Sequence, residues 1–152
     1  MSNQFTLTVQ KEQPVLSIRI TTSVTNLPQE IGKAYEAIGA YLEEIGEAPA
    51  DAPFTAYYNM DMDNLDVEMG YPVSKIIPGK DEIKASSIPA CKQVSCMYKG
   101  PYMQMGPSYE AMTDWVKEQG LEPTGICYEF YYNSPDEVPE DELLTKILFL
   151  LK

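Results

Sequence analysis

The sequence contains no histidine, and this absence excludes several common kinds of catalytic site. Without imidazole the chain can form neither a Ser-His-Asp or Cys-His apparatus nor a histidine-ligated metal centre. Its three cysteines, Cys91, Cys96 and Cys127, lack C-x-x-C spacing, and we interpret them as reduced, mostly buried thiols. The carboxylate-rich turn at 61–66 lacks calcium-loop spacing, and no glycine-rich phosphate loop occurs. We therefore expect neither a metal nor a cofactor.

Basic residues are also scarce. The chain has 11 Lys and Arg residues against 23 Asp and Glu residues, which gives a net charge of −12. DNA affinity depends on contacts between basic side chains and phosphates, so we predict no direct binding to nucleic acid. The acidic surface fits either simple solvation or a cationic ligand or partner.

Long apolar runs are missing as well. Residues 1–15 lack the basic start and apolar segment of a secretory signal. No stretch approaches the roughly 18 apolar residues of a membrane span. We expect a cytoplasmic protein that does not bind membranes.

Tyrosine is the aromatic residue present in excess, with 11 copies against four Phe and one Trp. A phenol combines a flat apolar ring with a hydroxyl group, so this excess suits a packed core and an aromatic ligand pocket equally well.

The chain also contains an internal repeat with an offset of 74 residues, in which Gly46 corresponds to Gly120. A repeat of this length predicts two copies of one folding unit related by a pseudo-twofold axis. We place the copies at approximately 5–73 and 88–151. A chain half of this size makes a marginal core alone, so we predict one domain over 1–152.

Hydrophobic spacing predicts the elements of each copy. Alternating or continuous apolar residues predict strands at 5–9, 15–22, 54–60, 66–71, 91–98, 126–132 and 143–151. Apolar residues three and four apart predict two helices, one that opens at Leu27-Pro28 with its stripe over 30–45 and one with its stripe from Met105 to Val116. Gly46 and Gly120 are predicted to end these helices. Residues 74–89 are assigned to a connector. The predicted class is α+β, a duplicated strand-helix-strand-strand unit that forms an antiparallel sheet with two long helices and a pseudo-twofold cleft.

The strand at 126–132 carries the most informative residue. Side chains alternate across a sheet, so one face carries Cys127, Glu129 and Tyr131. We expect the other face, with Tyr128 and Phe130, to pack beneath the helices. Glu129 corresponds to Thr55 in the first copy, so the copies differ there by one carboxylate. Glu129 is either exposed on a solvated face or partly buried, and a buried carboxylate would require a partner such as a cationic ligand.

Six further aromatic residues are candidates for a ligand-binding surface: Tyr35, Tyr41, Tyr57, Tyr98, Tyr109 and Trp115. Tyr35 and Tyr109 lie in the middle of the helical stripes and suit a core or a ligand contact. Tyr41 and Trp115 lie at the stripe edge, where a pocket between the halves would open. Tyr98 precedes a Gly-Pro turn and could close that pocket.

Several short motifs resemble those of a known family. They are Lys-Gly-Pro-Tyr at 99–102, Trp115, Tyr-Glu-Phe-Tyr-Tyr-Asn-Ser-Pro at 128–135, Glu142 followed by Thr-Lys-Ile at 145–147, and Val-Glu-Met-Gly-Tyr-Pro-Val at 67–73. Together they resemble the GyrI-like domain, the effector-binding domain of bacterial multidrug-responsive transcription activators of the MerR and AraC types. The resemblance covers almost the whole chain.

This resemblance implies a duplicated α+β unit with a ligand cleft where the halves meet. It implies an aromatic pocket for lipophilic, often cationic compounds, with a buried Glu at an E-x-Y position, here Glu129 and Tyr131. Tyr98 and Lys99 stand where relatives often have histidine. No DNA-binding region precedes the motifs, so we expect a free-standing module that is not a transcription factor by itself.

Three functions remain open at this point. The first is capture of lipophilic, cationic aromatic compounds. The second is hydrolysis of reactive cyclopropane-containing genotoxins, in which Glu129 would activate water and Tyr131 would donate to a developing oxyanion. The third, suggested by the family name, is inhibition of DNA gyrase through a protein–protein contact.

Overall fold

The computed structural model describes residues 5–152, which contain eight strands, two α-helices and two short 3-10 helices. In chain order the main elements are β1 (Thr6–Gln10), β2 (Gln13–Thr22), α1 (Leu27–Glu44), β3 (Phe54–Tyr57), β4 (Leu65–Pro72), β5 (Lys84–Ile88), β6 (Cys91–Lys99), α2 (Gly106–Glu118), β7 (Pro123–Tyr131) and β8 (Leu144–Leu151). The 3-10 helices are Tyr102–Gln104 and Glu140–Glu142.

The chain divides into two units, which we name by their order. The first unit is Lys11–Ala90, and the second unit combines β1 with Cys91–Lys152. Neither α1 nor α2, nor any other helix of the described residues, is long and apolar enough to cross a membrane.

In the first unit four antiparallel strands lie in the order β3-β4-β2-β5. The register between β2 and β4 places Ile18 opposite Met69. Helix α1 packs its apolar stripe over this face, where Ala34, Ile38 and Leu42 are buried. Pro28 stands in the first turn of α1, where its missing N–H would have no helical acceptor.

In the second unit the strand order is β7-β8-β6-β1, again antiparallel. Strand β8, which was predicted at 143–151, lies between β6 and β7 and is paired on both sides. Helix α2 buries Met112 and Val116 against the face that carries Val94 and Ile147. Both units therefore have the order strand, helix, strand, strand. Each unit has one added edge strand, which pairs with the first strand of that order.

The two helices end in the same way at positions that correspond in the repeat. Gly46 and Gly120 adopt positive φ angles of 74° and 70°, which glycine tolerates without a Cβ clash. The amide after each glycine bonds back to the carbonyl five residues earlier, from Glu47 to Leu42 and from Leu121 to Val116. This is the Schellman arrangement that satisfies the last helical carbonyls.

The assignment of residues 74–89 to a connector was wrong, because β5 lies inside that segment and pairs with β2. The sequence of β5 has no apolar alternation that would indicate a strand. Most of the strand is exposed, and only Ile88 is buried. Pairing with β2, which is distant in sequence, makes this segment a strand.

Candidate functional site

The side chain of Glu129 faces helix α2. Glu129 lies opposite Ile147 in the β7–β8 ladder, and Ile147 belongs to the core beneath α2. Directly opposed residues of an antiparallel pair point to the same side of the sheet. The expectation that the face with Tyr128 and Phe130 packs beneath the helices was therefore wrong. Both of those residues are buried, but on the opposite side of β7.

Two phenols hold the Glu129 carboxylate. Tyr109 of α2 donates a hydrogen bond to Oε2, and Tyr131 of β7 donates one to Oε1 at 2.7 Å. Glu129 is only 9% exposed. Burial raises the pKa of Glu129 above its ordinary value of 4.5, while the two phenol hydrogen bonds oppose this shift. A carboxylate has about four acceptor positions, so two phenols leave room for a further donor or cation.

Tyr109 is fixed by the helix that carries it. It lies on the apolar stripe of α2, and its ring packs against Phe149 of β8 with centroids 5.8 Å apart. One turn later, Thr113 donates its hydroxyl to the Tyr109 carbonyl at 2.8 Å. The phenol therefore reaches Glu129 from a packed position.

Two further side chains, Tyr102 and Cys127, lie near the Glu129 carboxylate. Tyr102 meets the ring of Tyr131 edge-on with centroids 5.7 Å apart. Burial and the nearby charge of Glu129 raise the pKa of Tyr102. The same causes raise the pKa of Cys127 to about 12, which keeps its thiol protonated and weakly nucleophilic. Tyr102 was not among the predicted site residues, although it ends the Lys-Gly-Pro-Tyr motif.

Tyr98 and Trp115, which we also predicted as ligand contacts, make other contacts in the second unit. Tyr98 donates its hydroxyl to the Pro101 carbonyl at 2.7 Å. The same hydroxyl lies close to Gly100, because a Cβ on that residue would come within 2.9 Å of it. Tyr98 therefore contacts the Gly-Pro turn itself. Trp115 packs against Phe5 with ring centroids 5.6 Å apart. These contacts support the fold locally.

The first unit contains the counterpart of the Tyr109–Glu129 contact. Tyr35 and Thr55, at the positions 74 residues earlier, share a hydrogen bond of 3.0 Å between their hydroxyl oxygens. Thr55 is fully buried, and the Tyr35 ring packs against Tyr71 with centroids 5.6 Å apart. Tyr57 is partly buried against the same core.

Tyr41 borders a cleft of the first unit. Its hydroxyl donates to the Pro78 carbonyl at 2.7 Å, and the Lys80 ammonium lies 5.9 Å from its ring centroid. The cleft has a volume of about 430 Å³ and lies between α1 and the segment 80–83, and its apolar lining includes Ala37 and Ala40. Tyr41 therefore has a structural role in attaching this segment to α1.

A second buried carboxylate, which was not among the predicted site residues, lies on the face of the first unit turned away from α1. Glu68 accepts hydrogen bonds of 2.5 Å from Ser17 and from Tyr58. The Arg19 guanidinium covers the Tyr58 ring at 3.9 Å and binds Asp66 through two hydrogen bonds. Those hydrogen bonds lower the pKa of Asp66. The alternation of Val67 and Met69 predicts only that Glu68 occupies the other face.

No group of three or more potential metal-ligating side chains comes together among residues 5–152. The groups that the structure brings together at Glu129 are a carboxylate, two phenols and the ring of Tyr102.

Comparison with known proteins gives a family match over nearly the whole chain. The profile of the GyrI-like small molecule binding domain matches residues 4–152. The structure of EcmrR in a complex with DNA superposes with a TM-score of 0.83 at 24% identity, over 99% of this chain and 57% of the EcmrR chain. The EcmrR C-terminal domain alone gives a TM-score of 0.77 at 24% identity over 100% of this chain and 99% of that one. This chain thus spans little more than half of EcmrR.

Two more distant structures share the fold. A hydrolase from Listeria innocua superposes with a TM-score of 0.71 at 13% identity, over 98% of this chain and 92% of the other. SAV2435, in a structure bound to tetraphenylphosphonium, gives a TM-score of 0.70 at 10% identity over 98% and 94% of the two chains. No curated protein matches the sequence at a significant level.

Proposed function

We propose that this chain, which belongs to the GyrI-like small-molecule-binding family, captures lipophilic organic cations at the Glu129 carboxylate. The observation that carries the proposal is a buried carboxylate whose hydrogen-bond partners are two neutral phenols. Taking a carboxylate out of water is costly unless a positive charge compensates it. A bound cation would supply that charge.

The neighbouring side chains favour a cation with apolar substituents. Tyr102, Tyr109 and Tyr131 present aromatic rings close to the carboxylate, and Phe149 backs Tyr109. Aromatic faces attract organic cations by roughly 0.5–2 kcal/mol per contact. SAV2435, which shares the fold, is described as bound to tetraphenylphosphonium, a compound of this class.

The two units also support an internal duplication. Both have the same order of elements, the same helix ending and an equivalent tyrosine contact. We propose that the second unit became the cation-binding half when its strand acquired Glu129. The remaining aromatic candidates, and a cleft where the halves meet, stay predictions.

A dye titration tests the charge argument. Binding of rhodamine 6G, a lipophilic cation, should weaken at least tenfold in Glu129→Gln, or about 1.4 kcal/mol. Nile red, a neutral dye, should bind both proteins alike. The matched control is Glu110→Gln, which removes the same charge from an exposed position on α2 and should leave both affinities unchanged. Equal losses for both dyes in Glu129→Gln would overturn the proposal.

The same titration has an expected pH dependence. Only the ionised carboxylate attracts a cation, and burial places the Glu129 pKa above its ordinary value. Rhodamine affinity should therefore increase as the pH rises through the Glu129 pKa, and the Gln variant should lack this step.

Hydrolysis is the second candidate function, favoured by the position of Glu129 between two phenol donors. A carboxylate with a raised pKa can deprotonate water, and a phenol can donate to a developing oxyanion. A member of this fold from Listeria innocua is described as a hydrolase. Mass spectrometry of a cyclopropane-containing electrophile incubated with the protein tests this. Water addition should disappear in Glu129→Gln and decrease in Tyr131→Phe. If the wild-type protein leaves the electrophile unchanged, binding remains the proposed function.

A further inference from the structure

Strand β1 forms an open edge of the second unit. It is hydrogen-bonded to β6 from Thr6 to Gln10, and no other strand of the described residues pairs with its outer side. The free N–H and C=O groups of an edge strand can pair with a strand of another chain. Natural proteins commonly block such an edge with charges, proline or a covering segment.

The edge strand of the first unit carries such features, whereas β1 does not. Strand β5 contains Lys84 and is followed by Pro89. Strand β1 reads Thr-Leu-Thr-Val-Gln, without charge or proline, and its Leu7 and Val9 are 47% and 76% exposed. Leu7 lies opposite the core residue Val94, so Leu7 and Val9 share the face that α2 covers further along the sheet.

The charge distribution favours another molecule of this same chain as the partner. Copies with a net charge of −12 repel each other over most of their surface. Strands β1 and β6 contain no Asp or Glu, and their only charged residues are Lys92 and Lys99. Two copies can therefore approach along this edge with little repulsion between carboxylates.

We propose that β1 pairs antiparallel with β1 of another molecule, around a twofold axis at Thr8, to form a homodimer with a continuous sheet. Thr8 is the midpoint of β1, so this register pairs all five strand residues. It sets Leu7 opposite Val9 of the other molecule, twice by symmetry, and Thr6 opposite Gln10. Apolar residues then face apolar residues, and polar residues face polar residues, as an isologous interface requires.

Sedimentation velocity over a range of concentrations tests the pairing. The wild-type chain should reach twice the mass of one chain as concentration increases. Val9→Lys places a charge on the edge and should keep the protein at the mass of one chain. Ala85→Lys, which places the same charge on an exposed position of β5, should behave like wild type. Circular dichroism should show equal folding for all three.

Three outcomes would overturn the proposal: a wild-type chain that stays single at the highest soluble concentration, a dimer that persists in Val9→Lys, or loss of the dimer in Ala85→Lys.

A compensating pair of substitutions tests the register. Leu7→Lys alone should abolish the dimer, and Leu7→Lys combined with Val9→Glu should restore it. In the Thr8-centred register the introduced lysine of one molecule lies opposite the introduced glutamate of the other, so the two charges attract. A register centred on Leu7 would set lysine against lysine, and failure of the double variant to recover would exclude the Thr8-centred register.

Discussion

The two units make the same contact with different chemistry. In the first unit, Tyr35 of α1 shares a hydrogen bond with the buried Thr55 hydroxyl of β3. In the second unit, Tyr109 of α2 reaches the Glu129 carboxylate of β7 from the corresponding position. The two contacts occupy corresponding positions, and the second places a carboxylate where the first has a hydroxyl group.

The first unit also has a buried carboxylate, Glu68, and its surroundings differ from those of Glu129. Both accept two hydroxyl hydrogen bonds, but the cationic Arg19 lies directly opposite Glu68 in the β2–β4 ladder. For Glu129, burial raises the pKa, and the opposing contributions are hydrogen bonds from neutral phenols. Burial of a carboxylate among neutral hydroxyl donors alone therefore does not identify a binding site, whereas a buried carboxylate whose pKa is raised does favour one.

Transferring the carboxylate to the first unit should have the largest effect. Thr55 is fully buried, so Thr55→Glu adds both volume and charge to a closed position. We expect the free energy of unfolding to fall by about 3 kcal/mol or more, measured by urea denaturation. Thr55→Val, which replaces the hydroxyl with a methyl group, should cost about 1 kcal/mol. If Thr55→Glu were as stable as wild type, the first unit would accommodate a carboxylate as well as the second does.

Removing the hydroxyl of each tyrosine should show a further difference between the two contacts. Tyr109→Phe deletes a hydrogen bond to a carboxylate and should cost about 1.5–3 kcal/mol of stability at a pH where Glu129 is ionised. Tyr35→Phe deletes a hydrogen bond between neutral hydroxyls and should cost about 0.5–1.5 kcal/mol. Chemical denaturation of both variants gives the comparison, and equal losses would contradict the distinction between the units.

The smallest expected effect is the pH dependence of stability that Glu129 introduces. Its pKa is higher in the folded chain than its ordinary value of 4.5, so the folded state holds the proton more tightly than the unfolded state. The stabilisation from this proton is complete below pH 4.5 and decreases as the pH rises through the folded pKa. Glu129→Gln should gain stability relative to wild type over that rise, in melts at several pH values. A constant difference across pH would contradict the shift.

Much of the local structure could be predicted from the sequence. The helical stripes from Ala34 to Leu42 and from Met112 to Val116 identified both helices, and Gly46 and Gly120 identified their ends. These features depend on the spacing of neighbouring residues. The candidate site could be predicted in part, because Glu129 interrupts an otherwise apolar and aromatic strand and breaks the repeat at Thr55. Its partner Tyr109 was among the candidates, but nothing in the spacing connected the two residues.

The sequence by itself determined the acidic charge, the absence of histidine chemistry, the helices and most strands, because these follow from composition and short-range periodicity. Only the tertiary structure decided which face of β7 lies beneath α2, that β5 is a strand and that Glu68 is buried. A period of two defines two faces of a strand but does not say which one a helix covers. That choice is made by the register with β8, which pairs Glu129 with Ile147 across the loop that joins the two strands. Such long-range pairing also closes β2 onto β5 and encloses Glu68, and no local pattern encodes it.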